Sequence, residues 1–162
     1  MRPMDAIQLL DQQHDEADEL FEKFDAAEDE GVKRRVFERL ADLLAIHSAI
    51  EARHFYPAVR GAETEELIIE SLDEHEGMKR LLRELIRRDR IDSDFLGCIK
   101  ELQGEVEYHV DEERGELFPI ARRLLDDARL DELGRAMART MAALSEEAAP
   151  RTSLGEAAPP IS

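Results

Sequence analysis

Apolar residues recur at steps of three and four along most of the chain, which is the spacing that places them on one face of an α-helix. This pattern predicts four long helices and a weaker fifth, over about residues 5–27, 32–56, 64–88, 95–120 and 130–144. Stretches rich in turn-forming residues separate them, such as "EDEG" after the first helix and "DRIDSD" before the fourth. Four long helices with short connections favour an all-α, up-down-up-down four-helix bundle with an additional C-terminal helix.

The length of 162 residues corresponds to one domain. We expect the bundle to occupy residues 1–127 and the extra helix to occupy 128–148, with a disordered tail over 149–162. The extra helix most simply packs on the bundle, although it could mediate a homodimer or do neither. A helical repeat array is the alternative fold, but the chain has only two similar halves, too few for a solenoid.

Composition narrows the possible partners. The formal net charge of −17 argues against nucleic acid or an anionic membrane, because both need a basic surface. A single cysteine, Cys98, excludes an intramolecular disulfide framework and a cysteine-based zinc site. No stretch approaches the length of apolar sequence that a membrane span requires, and the N-terminus lacks the apolar core of a signal peptide. We therefore expect a soluble cytoplasmic protein.

Four of the five histidines lie on the apolar faces of four different predicted helices: His14, His47, His75 and His109. In an antiparallel bundle, two residues equidistant from a turn lie at the same height. The midpoints between successive histidines fall within "EDEG", at Gly61 and at Asp92, which are the three predicted turns. One histidine from each helix is therefore expected to reach a single layer of the core.

Two glutamates extend this layer. Glu51 and Glu113 each follow one of these histidines by four residues, so each shares the inward face with its histidine. A lone core histidine is more often a hydrogen-bonded structural residue than a ligand. Buried carboxylates, however, are very costly unless they are paired or bound to a cation, and no inward arginine is apparent. The pattern indicates a metal site, and a dinuclear one. His54 and Glu116 lie three residues beyond the glutamates and stay open as additional ligands or rim residues.

The chain also contains an internal duplication. "HSAIEARHFYP" at 47–57 and "HVDEERGELFP" at 109–119 share a histidine, a glutamate four residues later and a proline six residues after that. Upstream, "LDQQHDE" pairs with "LDEHEG". The chain thus reads as two helical hairpins related by a pseudo-two-fold axis, each contributing two histidines and one glutamate. Such symmetry suits a two-metal centre in which one glutamate from each half bridges both ions.

These motifs resemble the hemerythrin-like, or HHE cation-binding, domains over about residues 5–125. The resemblance implies a four-helix bundle holding two iron ions with an oxo or hydroxo bridge, with manganese or zinc as less expected metals. Both glutamates would act as bridges. The metal ligands that the resemblance implies are His14, His47, Glu51, His75, His109 and Glu113.

One position departs from the family's classical oxygen carriers, which have a second histidine one turn after that of the third helix. Lys79 stands there in this chain. Two coordination positions would then be open to water, dioxygen, peroxide or nitric oxide, against one in the classical carriers. The resemblance therefore implies a stress-related di-iron protein that binds, senses or reduces a small oxidant. The alternatives are a catalase-like peroxide-decomposing enzyme and an iron-handling or iron–sulfur repair-type protein, and no catalytic residue can be assigned.

Overall fold

The computed structural model describes residues 3–146 and 150–151, and these residues contain no β-strand. Two π-helical turns, Glu51–Phe55 and Glu113–Leu117, interrupt an otherwise α-helical chain. The α-helices are α1 (Ala6–Ala26), α2 (Glu30–Ile50), α3 (Tyr56–Val59), α4 (Glu65–Arg87), α5 (Ser93–Glu112), α6 (Phe118–Leu124) and α7 (Asp127–Glu146). The predicted all-α class is confirmed. The tail predicted over 149–162 lies outside the described residues, except for residues 150 and 151.

Aspartates start the long helices α1, α2, α5 and α7. The side chain of Asp5 accepts a hydrogen bond from the backbone N–H of Gln8 at 2.8 Å, and the Gln8 side chain accepts one from the Asp5 backbone N–H. Asp29 and Asp92 accept equivalent bonds at the starts of α2 and α5. Each bond satisfies a backbone donor that the first helical turn cannot pair internally. These caps therefore define where the four helices begin.

Helix α1 packs against α2, and α4 packs against α5. The two hairpins also contact each other at their ends. Arg34, near the start of α2, donates to the carbonyl oxygen of Arg88 at 2.8 Å, and Arg123 of α6 pairs with Glu63 at 2.7 Å. The turn after α4 therefore lies beside the start of α2, and the turn after α3 lies beside the end of α6.

The core is divided into two apolar clusters. The first contains Phe37, Leu82 and Phe95, while the second contains Leu10 and Ile68. On α1 and α4, the buried polar side chains come from positions between the two clusters, and on α2 they follow Leu44 of the first cluster and Ile46 of the second. A polar layer of the core therefore has apolar packing on both sides, which keeps water away from it.

Helix α7 lies against α1 and also contacts α2 and the first π-helical turn. It buries Leu130, Leu133 and Met137 in the second apolar cluster. Gly134 allows the close approach, because a Cβ atom there would lie 2.5 Å from the carbonyl oxygen of Met4. Beyond α7, the Arg151 guanidinium pairs with Asp42 on α2 at 2.7 Å. Within the part of the chain that the structure describes, no helix is long and apolar enough to cross a membrane.

Replacing Gly134 by alanine should push α7 away from the start of α1. The new methyl group would meet backbone atoms, which cannot move aside as a flexible side chain can. We expect a loss of about 1–3 kcal/mol in the free energy of unfolding, measured by denaturant titration. Gly104→Ala is the matched control, because nothing lies within 4 Å of a Cβ at that helical position. Equal stability of the two variants would contradict this packing.

Candidate metal centre

Each glutamate of the predicted centre begins a π-helical turn. The carbonyl oxygen of Glu51 accepts from the backbone N–H of Tyr56, and that of Glu113 accepts from Phe118, five residues on in both cases. Pro57 and Pro119 follow immediately. Proline has no N–H, and its ring clashes with the carbonyl four residues earlier, so a regular α-helix cannot run through it. The sequence predicted that the second helix ends at Pro57 and that Pro119 kinks the fourth helix or starts a short extra turn, but it did not predict π-helical turns. Isolated π-helical turns are frequent at functional sites.

The structure brings all six predicted side chains into one buried layer. Glu51 and Glu113 have no exposed surface, and no histidine of the group is more than 5% exposed. The side chains come from four long helices and from the first residues of the two π-helical turns. The equal height predicted from the turn midpoints therefore agrees with the packing.

All four imidazoles direct Nε2 toward a carboxylate. The distances are 3.1 Å from His47 and 2.9 Å from His75 to Glu51 Oε1, and 3.0 Å from His14 and 3.2 Å from His109 to Glu113 Oε1. The rings also form two pairs, one from each hairpin. Ring centroids are 4.9 Å apart in the first pair, His14 with His47, and 5.0 Å apart in the second, His75 with His109.

The two residues that the sequence left open lie outside this layer. The Nε2 atom of His54 lies 2.7 Å from the hydroxyl oxygen of Thr140 on α7. Glu116 is exposed to solvent. Both follow the glutamates within the π-helical turns, where the altered helical register changes the direction that an α-helix would give their side chains.

Charge pairing dominates the electrostatics of the metal-free layer. Burial lowers the pKa of His47, but Glu51 and Glu113 raise it by more, to about 9. Burial likewise lowers the pKa of His109, and Glu113 and Glu51 carry it far above its ordinary value. Burial raises the pKa of Glu51, yet His47 and its other partners hold it well below the ordinary range. Two imidazolium–carboxylate pairs therefore hold the layer together when no metal is bound.

Two buried polar atoms of the layer make no well-aligned hydrogen bond: Glu51 Oε2, and His47 Nε2 despite its 3.1 Å ion-pair distance to Glu51 Oε1. Such atoms are costly in a folded protein. A cation between them would satisfy both. Candidate ligand atoms of His47, Glu51, His109 and Glu113 lie within 4.8 Å of one another, and imidazole with carboxylate suits iron, manganese or zinc. The residues present therefore fit a metal ion.

Two further residues orient the histidines from behind. His47 Nδ1 lies 2.6 Å from the Gln13 side-chain oxygen, and His109 Nδ1 lies 2.8 Å from a Glu74 carboxylate oxygen. Donation from Nδ1 to these acceptors leaves Nε2 free to face the centre. The apolar pattern along single helices did not indicate a role for either residue. Their equivalent positions in the duplication could have identified them, because each immediately precedes the first histidine of its hairpin.

Tyr56 is also part of the centre. Its hydroxyl donates to Glu113 Oε2 at 3.0 Å and lies 3.3 Å from His75 Nε2. Burial raises the pKa of Tyr56, and the charges of Glu51 and Glu113 raise it further, so the phenol stays neutral. In an α-helix, a residue five positions on is rotated by about 140°. The π-helical turn instead brings Tyr56 near the face of Glu51, which helical periodicity alone does not predict.

The family model described as "Hemerythrin HHE cation binding domain" matches residues 5–121. Among solved structures, the chain is similar to a hemerythrin HHE cation-binding domain-containing protein from Mycobacterium kansasii. The two are 27% identical with a TM-score of 0.76, over 93% of this chain and 89% of that one. No curated protein matches the chain significantly. The family match, together with the hemerythrin-like fold and the buried layer of histidines and glutamates, shows that the chain belongs to the hemerythrin HHE cation-binding domain family.

Proposed function

We propose that the protein holds two iron ions between its helical hairpins and uses them to bind, sense or reduce a small oxidant. Dioxygen, peroxide and nitric oxide are the candidate oxidants. One observation carries this proposal: four imidazole Nε2 atoms face two fully buried carboxylates, and Glu51 Oε2 accepts no hydrogen bond. The match to a family of cation-binding domains supports the proposal, because such domains are expected to contain a layer of this kind.

The proposed scaffold is an up-down-up-down bundle of α1, α2, α4 and α5 over residues 1–127. The extra helix, over 128–148, would pack on this bundle. The contacts of Arg34 with the Arg88 carbonyl oxygen and of Arg123 with Glu63 support this topology, because they join turns that must share an end of the bundle. The contacts of α7 with α1 and α2 support the place of the extra helix.

We assign one ion to each pair of histidine rings. The rings are about 5 Å apart within each hairpin, whereas His47 and His109 are 6.3 Å apart across the hairpins. Glu51 Oε1 lies close to both His47 and His75, one from each hairpin, as a bridging carboxylate should.

Zinc prefers four ligands, so a carboxylate-bridged pair in a helical bundle favours iron. When bound, a carboxylate-bridged iron pair would supply electrons from its diferrous form and would itself become diferric as the oxidant is reduced.

The surrounding residues favour a small ligand. A cavity with about 10 Å³ of space adjoins His14, His47 and His109, and its other walls include Leu43 and Met78. That space is close to the minimum that one water molecule needs. Apolar walls exclude bulk water, and their closeness excludes a substrate larger than a few atoms.

Peroxide decomposition at the same centre is the second candidate, and Tyr56 favours it. Its hydroxyl is a neutral proton carrier in contact with Glu113 Oε2 and close to His75 Nε2. If this activity is present, the iron-loaded protein should evolve oxygen from hydrogen peroxide, and Tyr56→Phe should slow the reaction without reducing the iron content. An iron-loaded protein that evolves no oxygen would exclude this candidate.

Anaerobic titration with ferrous iron tests the main proposal. Binding should saturate near two ions per chain, and exposure to air should then produce oxo-bridge absorption. His109→Ala should lose this stoichiometry, because it removes a ligand of the proposed centre. His54→Ala is the matched control and should bind as the wild type does, since His54 contacts Thr140 outside the layer. No saturable binding, or wild-type binding by His109→Ala, would refute the proposal.

Metal binding should release protons at neutral pH. His47, with a pKa of about 9, and His109, with a pKa above that, are protonated at pH 7 in the metal-free protein. Since only neutral imidazole binds metal, about two protons should leave per chain, and the apparent affinity should rise with pH toward 9. Calorimetry in buffers of different ionisation enthalpy measures this number. A heat of binding that does not depend on the buffer would contradict the charge pairing.

A further inference from the structure

Gln13 and Glu74 occupy the same place in the two hairpins. Each immediately precedes the first histidine of its hairpin and reaches Nδ1 of the second histidine. Gln13 Oε1 lies 2.6 Å from His47 Nδ1, and Glu74 Oε1 lies 2.8 Å from His109 Nδ1. The two hairpins thus place a hydrogen-bond acceptor at the same position, but the acceptor is a neutral amide in one hairpin and a carboxylate in the other.

The orientation of the amide is fixed by the extra helix. Gln13 is 4% exposed, and its Nε2 donates to the sulfur of Met141 on α7 at 3.6 Å. This contact turns the amide oxygen, rather than the amide nitrogen, toward His47. Helix α7 lies beyond residues 5–121, which the family model matches, and still supports a histidine of the centre.

The two acceptors differ in their effect on a bound metal. A carboxylate that accepts the Nδ1 proton draws it away from the ring and makes Nε2 a stronger electron donor, whereas an amide does so more weakly. His109 therefore presents a more basic Nε2 than His47. Asp11 does not make His14 Nε2 equally basic. Its contact with His14 Nδ1 is long, at 3.4 Å, and its carboxylate also pairs with Arg114.

A second asymmetry lies on the same side. Tyr56 and Phe118 each precede the proline of their hairpin. The Tyr56 ring packs on His75, with centroids 5.6 Å apart and the hydroxyl close to Nε2, whereas Phe118 stacks on His14 at 5.8 Å with no polar group. A hydroxyl group thus lies beside His75, whereas an apolar ring lies at the equivalent place beside His14.

We infer that the two metal positions are inequivalent, and that the position at His75 and His109 binds its ion more tightly than the position at His14 and His47. Glu74 and Gln13 are the positioning residues that set this difference. The inference rests on the two-ion centre proposed above.

Reciprocal exchange of the two acceptors tests it. The full-length metal-free protein is titrated anaerobically with ferrous iron against a competing chelator. Wild type should bind two ions in distinguishable steps. Glu74→Gln should weaken the tighter step by about 10–100-fold and leave the weaker step unchanged, the range typical for loss of such a partner. Gln13→Glu should strengthen the weaker step.

Neighbouring residues provide the controls. Gln12→Glu and Glu76→Gln make the same charge changes at exposed positions that do not contact the histidines, and they should titrate like the wild type. Indistinguishable steps in the wild type, or exchange variants that behave like these controls, would overturn the inequivalence and leave the two-ion centre standing. Absence of iron binding by the wild type would instead refute the proposed function.

Discussion

The structure depends on the burial of two carboxylates that have no exposed surface. Such charges are stable in an apolar interior only with compensating partners. In the metal-free protein, protonated His47 and His109 provide that compensation, as the raised pKa values of both show. A bound cation would provide it more completely, because it would also satisfy Glu51 Oε2, which accepts no hydrogen bond in the metal-free layer. Protons and a metal ion therefore compete for the same histidines and glutamates. The two apolar clusters exclude water from this layer.

Helical periodicity was sufficient to predict the layer of histidines and glutamates. The phase of His47 and Glu51 depends only on the regular α-helix of α2, and the common height depends only on where the turns fall. The spacing of apolar residues could not predict the π-helical turns, because it continues through the start of both turns without a break, and the prolines that follow indicate only that the regular helix is interrupted. Tyr56 was missed for that reason. Gln13 and Glu74 were missed for another, since their side chains reach across to a neighbouring helix, which the pattern along one helix does not encode.

The duplication explains both the regularity of the centre and its departures from symmetry. Each hairpin supplies two histidines, one glutamate, a π-helical turn and an acceptor for Nδ1. The halves differ where an amide replaces a carboxylate and where Phe118 replaces a tyrosine. Helix α7 adds to this difference, because Met141 holds Gln13 in place. A symmetric scaffold can in this way place two similar metal positions in unlike surroundings.

The most direct measurement for the central claim is anomalous diffraction at the iron absorption edge, from crystals grown with ferrous iron. The account predicts two anomalous peaks per chain, one beside His14 and His47 and the other beside His75 and His109. Both peaks should lie within bonding distance of Glu51 and Glu113. A layer without an anomalous peak, or a peak bound only by other residues, would contradict it.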